Sequence, residues 1–544
     1  MLTHRVWGNP THRWLGASQD PQLFLWWMSW VPHSIAHGLN PLHPTVVQYP
    51  LGTNSLWNTS IVLPSLLMAP ITLWFGPILS WNLLMTASPV LSGLAARAVI
   101  GRFVHHPSAS LVGGLVYGFS PYMIVELEGH AHLLITIFPP VALLCLHELF
   151  IRQRRSPRLV GVALGLAATA QLLIGEEVLL VTAIGCGLVA VIVLSRSTTQ
   201  LRQRMARGLS GLVIAGLVAL GTGGPLIGFQ FAGPQAAGCC LPNISRYVLD
   251  AETLVVPTGY QLLHTTGTKE IAARWRGFNE SNGYLGVPLI VLIAAALVVM
   301  RRRAEIVAAG IVLATSTVLA FGSFIEVGGI STGIPAPWQL LRHLPVLGDV
   351  VVSRFMLLAY LAIATIVAVT IDALLDQPPG RRRQALLGAT ALTLATLAPS
   401  PTIASADQTP RVFSDHAALD RLLPHRAVAI AVPYFEYDSM FWQVTSDYRF
   451  NLIQGGVIVP GPQVNGPITP LAQRLEVLAN GSASAVPILP AERQSYLGYL
   501  RKSGVNAVIV GPSTGQSQVL RFLRDLLHIH GQRNGTVTIF ANWR

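Results

Sequence analysis

Two carboxylates and two imidazoles fall within seven residues, Glu126-Leu127-Glu128-Gly129-His130-Ala131-His132, at the end of an apolar run. Side chains of these types could bind a divalent metal, hydrogen-bond a sugar or hold an acceptor. A solvated loop of ordinary polar composition is the other reading, because His-x-His by itself is a weak metal signal. Earlier in the chain, Asp20 is followed by Pro21. Its carboxylate could act as a general base on an attacking hydroxyl, and the same dipeptide reads as a helix cap before a proline at the first helical position. The two roles are compatible, since a capped helix start also fixes the side chain. Glu176 and Glu177 sit in a short turn between two apolar runs. Neighbouring side chains diverge on a helix, so they are not automatically an acid and base pair. One can favour the helix N-terminus, which leaves the other for substrate or an arginine. The stretch 232–283 carries Lys269, Glu270, Arg274, Arg276, Glu280 and Asn282, and Arg354 opens the apolar run 352–374. Guanidinium offers forked donors to phosphate oxygens, and that reading is preferred for Arg354 over snorkelling toward headgroups. For Arg274 and Arg276 both readings stay open.

These residues need a frame, and the frame is apolar. Of 544 residues, 51% are hydrophobic and 11% charged, against roughly 25% charged in soluble domains. Mean hydropathy is +0.52. The net charge of +12 is nearly all arginine, lysine occurring only at Lys269 and Lys502. The arginines form short clusters beside apolar runs and no single basic face, which argues against a nucleic-acid partner. Runs near the roughly 20 residues that a hydrocarbon core calls for are 78–98, 109–125, 131–150, 158–175, 178–195, 208–231, 284–300, 304–322, 352–374 and 384–402. The sequence therefore predicts a polytopic α-helical membrane protein of about ten spans. Clusters at Arg102, Arg152 to Arg158, Arg196 to Arg207, Arg301 to Arg303 and Arg381 to Arg383 occupy every second gap. The positive-inside rule makes those gaps cytoplasmic, so 126–130, 176–177, 232–283, 323–351 and the tail from 403 face outward, in the plasma (inner) membrane of a bacterium. Of the four cysteines, Cys145 and Cys186 lie within runs and Cys239 and Cys240 are adjacent in a loop; no disulfide framework is legible.

Three domains follow: 1–77 as an outward first loop, 78–402 as the membrane region and 403–544 as an extracytoplasmic α/β domain. The first loop needs something to carry it across, and the pattern leads us to expect one more membrane helix upstream of Met1. Its apolar segments 23–39 and 60–76 are interrupted by proline and are read as helices at the outer interface, where tryptophan is favoured. In the tail, Val428 to Val432, Ala507 to Val510 and Val537 to Phe540 have strand length, while 469–480, 491–503 and 515–529 have helical spacing. Tyr434, Phe435, Trp442 and Tyr448 could stack on sugar rings, although aromatic residues in such a domain are more often core.

The early aspartate in an outward loop, the proline-broken helices, a second short outward loop with acids, and the polar tail together resemble the GT-C superfamily of membrane glycosyltransferases. The phrases that carry the likeness are Ala17-Ser18-Gln19-Asp20-Pro21, Trp57-Asn58-Thr59-Ser60, Gly118-Phe119-Ser120-Pro121-Tyr122 and Gly129-His130-Ala131-His132-Leu133. They are closer to uncharacterised actinobacterial members than to the protein mannosyltransferases or aminoarabinose transferases, and the likeness covers the region to about 402. It implies transfer of a sugar from a polyprenyl-phosphate donor to a glycan, lipid or protein acceptor among membrane lipids on the outer face. Asp20 matches the superfamily's first-loop catalytic aspartate, and Glu128 is the nearest match to its second-loop acid. Glu126, His130, His132, Glu176, Glu177, Arg274, Arg276, Glu280 and Arg354 are then substrate-binding candidates. A glutamate and histidines stand where related transferases often carry aspartate, so a divalent metal is possible and not assigned. A lipid or polysaccharide flippase, or a non-catalytic envelope assembly protein, are the alternatives; the first should show internal repeats and mid-membrane charge, and the second should tolerate loss of Asp20.

Overall fold

Proline and serine punctuate this chain into helices. A computed structural model describes residues 2–17, 20–195, 201–237, 247–277, 283–344, 347–434, 437–461, 468–482 and 487–543. Its helices include α1 (Asp20–Ala36), α2 (Val62–Phe75), α3 (Pro77–Ile100), α4 (Pro107–Gly118), α5 (Pro121–Glu126), α6 (Phe138–His147), α7 (Pro157–Leu172), α8 (Glu176–Ser195), α9 (Leu201–Ala232), α10 (Val287–Val299), α11 (Ala304–Ala320), α12 (Met356–Leu375), α13 (Arg381–Ala395), α14 (Asp438–Thr445), α15 (Pro470–Ala479), α16 (Pro490–Lys502) and α17 (Gln516–Leu527). Five strands form one sheet: β1 (Ala427–Val432), β2 (Phe450–Leu452), β3 (Ala507–Val510), β4 (Gln532–Asn534) and β5 (Val537–Ala541). Proline stands at the start of α4, α5, α7, α10, α15 and α16, where its missing N–H has no intrahelical partner to lose.

Four helices among the described residues are long and apolar enough to cross a bilayer: Pro77–Ile100, Ala131–Arg152, Arg204–Ala232 and Val352–Leu375. The chain is accordingly a membrane protein. The expected run 109–125 is two helices, because Ser120 caps α5 by accepting the Met123 amide at 3.4 Å and Pro121 cannot continue α4. The runs 158–175, 284–300, 304–322 and 384–402 form helices of 16, 13, 17 and 15 residues, shorter than the sequence reading assumed. Run 178–195 is within the 20-residue α8.

Contacts divide the chain into two compact units. The first comprises Met1–Asn9, Asn82–Pro225 and Asn243–Ala404; the second comprises Pro10–Trp81, Leu226–Pro242 and Ser405–Arg544.

In the first unit small residues let helices approach closely. A Cβ on Gly114 would fall 2.6 Å from the Gly93 carbonyl oxygen of α3. One on Gly113 would meet the Ala364 carbonyl and the Ala368 methyl of α12, both at 3.0 Å. Gly161 and Gly165 of α7 face Gly211 and Ala215 of α9 in the same manner. Helix pairs inside lipid gain little from the hydrophobic effect and rely on such contact. Gly114→Val is expected to destabilise the first unit by about 1–3 kcal/mol through overpacking, read as a lower melting temperature of the purified protein, whereas Gly216→Val, with nothing within 4 Å of its Cβ position, leaves it unchanged.

In the second unit the sheet order is β2-β1-β3-β5-β4. β1 pairs parallel with β2 (Ala427 opposite Phe450) and with β3 (Ala429 opposite Ala507), and β5 runs antiparallel to β3 and β4. Every residue of β1 and β3 is buried, which is why both read as continuous apolar runs and not as alternations. Val519, Phe522, Leu523 and Leu526 form the buried stripe of α17 at i, i+3, i+4 and i+7, and Arg521, Arg524 and Asp525 take its exposed face. Tyr434 belongs to the same core, and Trp442 stacks on Phe413 with centroids 4.9 Å apart. These two are core side chains, not a sugar platform; Phe435 lies outside the described residues.

The first loop is folded into this unit. Trp26, Trp27 and Trp30 of α1 are buried, so α1 is enclosed by protein and offers little apolar surface. Trp26 Nε1 donates to Gln443 Oε1 at 3.1 Å, and Gln443 Nε2 donates to the carbonyls of Val46 and Phe450 at 2.8 and 2.9 Å. Helix α2 differs, with Leu66, Leu67, Leu73, Trp74 and Phe75 exposed.

Candidate active site

The second-loop residues assemble around the end of α5. The helix stops after Glu126, and the turn 127–129 returns the chain so that the His130 amide donates to the Glu126 carbonyl at 2.9 Å. The same turn brings His130 Nδ1 to 2.8 Å from Glu126 Oε2. Glu126 is fully buried and His130 is 17% exposed. Burying a carboxylate costs several kcal/mol unless a partner holds it, and the imidazole is such a partner. The Arg354 guanidinium also lies within electrostatic reach of Glu126, Tyr122 and His132.

Glu128 is the carboxylate left over. Its Oε1 accepts the Ile403 amide at a long 3.4 Å, and among the described residues its buried Oε2 has no hydrogen-bond partner. Burial pushes its carboxyl up to about 7, against the opposing pull of the Ile403 amide and the charges of Arg5 and His130. A carboxyl poised near neutrality with a free oxygen is what proton transfer at ordinary pH calls for. Tyr260 is the neighbour that the sequence reading missed. Its hydroxyl is held protonated by burial and by the charges of Glu128 and Glu126, so it stays a donor. Its only sequence signal is a tyrosine after Pro257-Thr258-Gly259 in an outward-reading loop.

His132 is buried one residue beyond the turn, with its ring centroid 6.3 Å from that of His130. The turn before α8 passes it so closely that a Cβ on Gly175 would lie 3.1 Å from the His132 Cβ. That approach sets the start of α8, where Glu176 is exposed and Glu177 forms an ion pair with Arg354. Arg354 is 12% exposed and Glu177 28%. Arg354, read from the sequence as a phosphate ligand, engages a carboxylate 177 positions earlier in the chain. A charge this deep in an apolar protein is costly without a counter-ion.

The other candidates fall elsewhere. Arg276 Nη1 pairs with Glu326 Oε1 at 3.0 Å, and Asp250 accepts the amides of Gly328 and Gly329 at 3.2 and 2.7 Å. That arrangement positions the hairpin Phe324–Val327 with Ile330–Pro335. Arg274 precedes it in the same loop without joining the cluster around Glu126 in any contact described, and Glu280 and Asn282 lie outside the described residues, as do Cys239 and Cys240. Asp20 is the first residue of α1 in the second unit and puts a carboxylate in its first turn. Tyr437 nearby is pushed up to about 12 by burial and then by the Asp20 charge. Gln22 donates to Asp438, whose carboxyl burial also raises.

Among the described residues, Glu126, Glu128, His130 and His132 do not present three ligand atoms to one point. His130 Nδ1 is committed to Glu126, and a metal at this turn finds no ready-made cage.

A helical membrane architecture with a carboxylate-rich turn beside a buried arginine can be set against known structures. The arabinofuranosyltransferase AftD from Mycobacteria is similar with a TM-score of 0.57 and 16% identity, over 98% of this chain and 38% of that one. An R1389S mutant of AftD in its class 2 state gives 0.55 at 15% identity, covering 96% and 40%. The oligosaccharyltransferase of Archaeoglobus fulgidus gives 0.44 at 12%, covering 91% and 66%. The chain thus spans well under half the length of AftD, and the likeness is one of fold. The protein belongs to the DUF6311 family, a domain of unknown function, whose model matches residues 4–398. No curated protein matches it.

Proposed function

We propose that this protein is a membrane glycosyltransferase of the GT-C type, moving a sugar from a polyprenyl-phosphate donor to a glycan, lipid or protein acceptor on the outer face of the membrane. The observation that carries the reading is Glu128: a carboxyl near 7 with one oxygen free, in a turn that the charge pattern assigns to the outside. The AftD-like fold is compatible with it. Glu128 takes the proton of an acceptor hydroxyl as that oxygen attacks the anomeric carbon. The bond from that carbon to the phosphate oxygen breaks, and the lipid phosphate leaves with its electron pair. Tyr260 donates a hydrogen bond to the departing phosphate or to the sugar. Arg354, neutralised by Glu177, sets the potential around Glu126 and fixes the turn that carries Glu128. No nucleotide site is required, because the donor arrives attached to lipid.

Asp20 is the second carboxylate to be tested, as the superfamily's first-loop position. The test is the envelope glycan and glycolipid profile of a deletion strain complemented with the intact gene, with Glu128→Gln or with Asp20→Asn. We expect one glycan species to disappear on deletion, to return with the intact gene and to stay absent with Glu128→Gln. Return with Glu128→Gln removes it as the base; return with Asp20→Asn alone leaves Asp20 as a residue that only favours the start of α1.

A further inference from the structure

A second group of titratable side chains lies where α12 ends and α4 begins. This end of the helices carries Arg102 and Arg381 to Arg383, the face that positive charge marks as cytoplasmic. Asp372, one turn from the end of α12, is completely buried. Its Oδ1 accepts the amides of His105 and His106 at 2.9 and 2.8 Å, which fixes the loop leading into α4. Its Oδ2 is buried and makes no hydrogen bond among the described residues, although His105 Nδ1 stands 3.3 Å away. Asp376 adds a carboxylate one turn on, its Oδ1 at 3.0 Å from His106 Nε2. One ligand atom from each of His105, Asp372 and Asp376 can be chosen so that all lie within 4.8 Å of one another.

We propose that His105, Asp372 and Asp376 form a binding site for a divalent transition-metal cation of the zinc type, distinct from the outward turn and independent of its chemistry. Two arguments converge. A buried carboxylate oxygen faced only by one solvent-exposed imidazole at 3.3 Å is poorly compensated, and a dication matched by two carboxylates relieves that cost without net charge. The spacing also fits: with ligands at about 2.0–2.2 Å from a tetrahedral ion, neighbouring ligand atoms sit roughly 3.4 Å apart, close to the 3.3 Å between His105 Nδ1 and Asp372 Oδ2. An imidazole with two carboxylates selects zinc, manganese or cobalt over calcium, and the exposed side of His105 leaves a coordination position for water. The ion staples the start of α4 to the end of α12, two helices already in close contact through Gly113. The Asp372 bonds to the His105 and His106 amides serve as its outer support by fixing the loop and the carboxylate.

The test uses the untagged full chain, purified in detergent and stripped of metal, titrated with zinc by calorimetry while its melting temperature is followed. We expect one zinc per chain, a melting temperature that rises with zinc, and at least a tenfold weaker affinity in His105→Ala and in Asp376→Asn. His343→Ala, an exposed histidine outside the group, keeps full affinity. Wild-type affinity in both ligand variants, or no saturable binding by the wild type, overturns the proposal. X-ray absorption on the wild-type zinc complex decides the matter even where a variant fails to fold: imidazole with oxygen neighbours near 2 Å supports the site, and sulfur or a shell without imidazole rejects it.

Discussion

Glu128→Gln is expected to lower the rate of the proposed sugar transfer by about 10²–10⁴-fold, the range that a general base contributes, while the purified protein keeps its fold. In that proposed reaction the intact protein is expected to show an acid limb in kcat/KM with its midpoint near pH 7, because that is where the Glu128 carboxyl is held, chiefly by burial. The working form is the carboxylate, so activity rises with pH through this range. A limb near the ordinary carboxylate range, or a variant with unchanged rate, dismisses Glu128. Stability moves in the opposite sense. The folded-state value is above that of an unfolded glutamate, so the folded protein binds the proton more tightly than the unfolded chain. Its contribution is complete below about pH 4.5 and is lost as pH rises through about 7. Glu128→Gln, which stays neutral, should therefore melt higher than the wild type at pH 8 and level with it at pH 4. A single substitution that removes activity and adds stability at alkaline pH marks a group held in a destabilising state for use.

Arg354→Met is expected to cost about 3 kcal/mol of stability, the lower part of the range for breaking a buried ion pair, because Glu177 is 28% exposed and water relieves part of the penalty. Glu177→Leu with Arg354→Met together should recover most of that loss, since two apolar side chains need no counter-ion. The double-mutant cycle, read by thermal unfolding in detergent, then yields a coupling term close in size to the sum of the two single losses. Additive losses would show that the two side chains do not depend on each other. Arg354 also shapes the field around Glu126, His132 and Tyr122, so the proposed transfer activity is not expected to return with stability. That split separates a role in holding the turn from a role in holding the fold.

The sequence by itself determined the elements. Val428 to Val432 and Ala507 to Val510 were legible as strands because a strand buried on both faces must be continuously apolar, and β1 and β3 occupy Ala427–Val432 and Ala507–Val510. The stripe on α17 was legible because one helical face repeats every 3.6 residues. Membrane-spanning runs showed through their length and lack of charge, and the cluster from Glu126 to His132 showed because four titratable groups are rare beside an apolar helix. Local punctuation was visible but misweighted: Ser120-Pro121 broke the run 109–125, since capping and a missing donor outweigh a few apolar residues. Tertiary structure alone decided the partners. No pattern in the chain joins Glu177 to Arg354, Arg276 to Glu326, or Gln443 to Trp26. An ion pair or a buried amide is chosen by which helices pack, and packing follows small residues such as Gly113 and Gly114, whose significance depends on what they face. The free oxygen of Glu128 belongs to the same class of fact. It is defined by the bonds its surroundings fail to supply, and surroundings are a property of the folded chain.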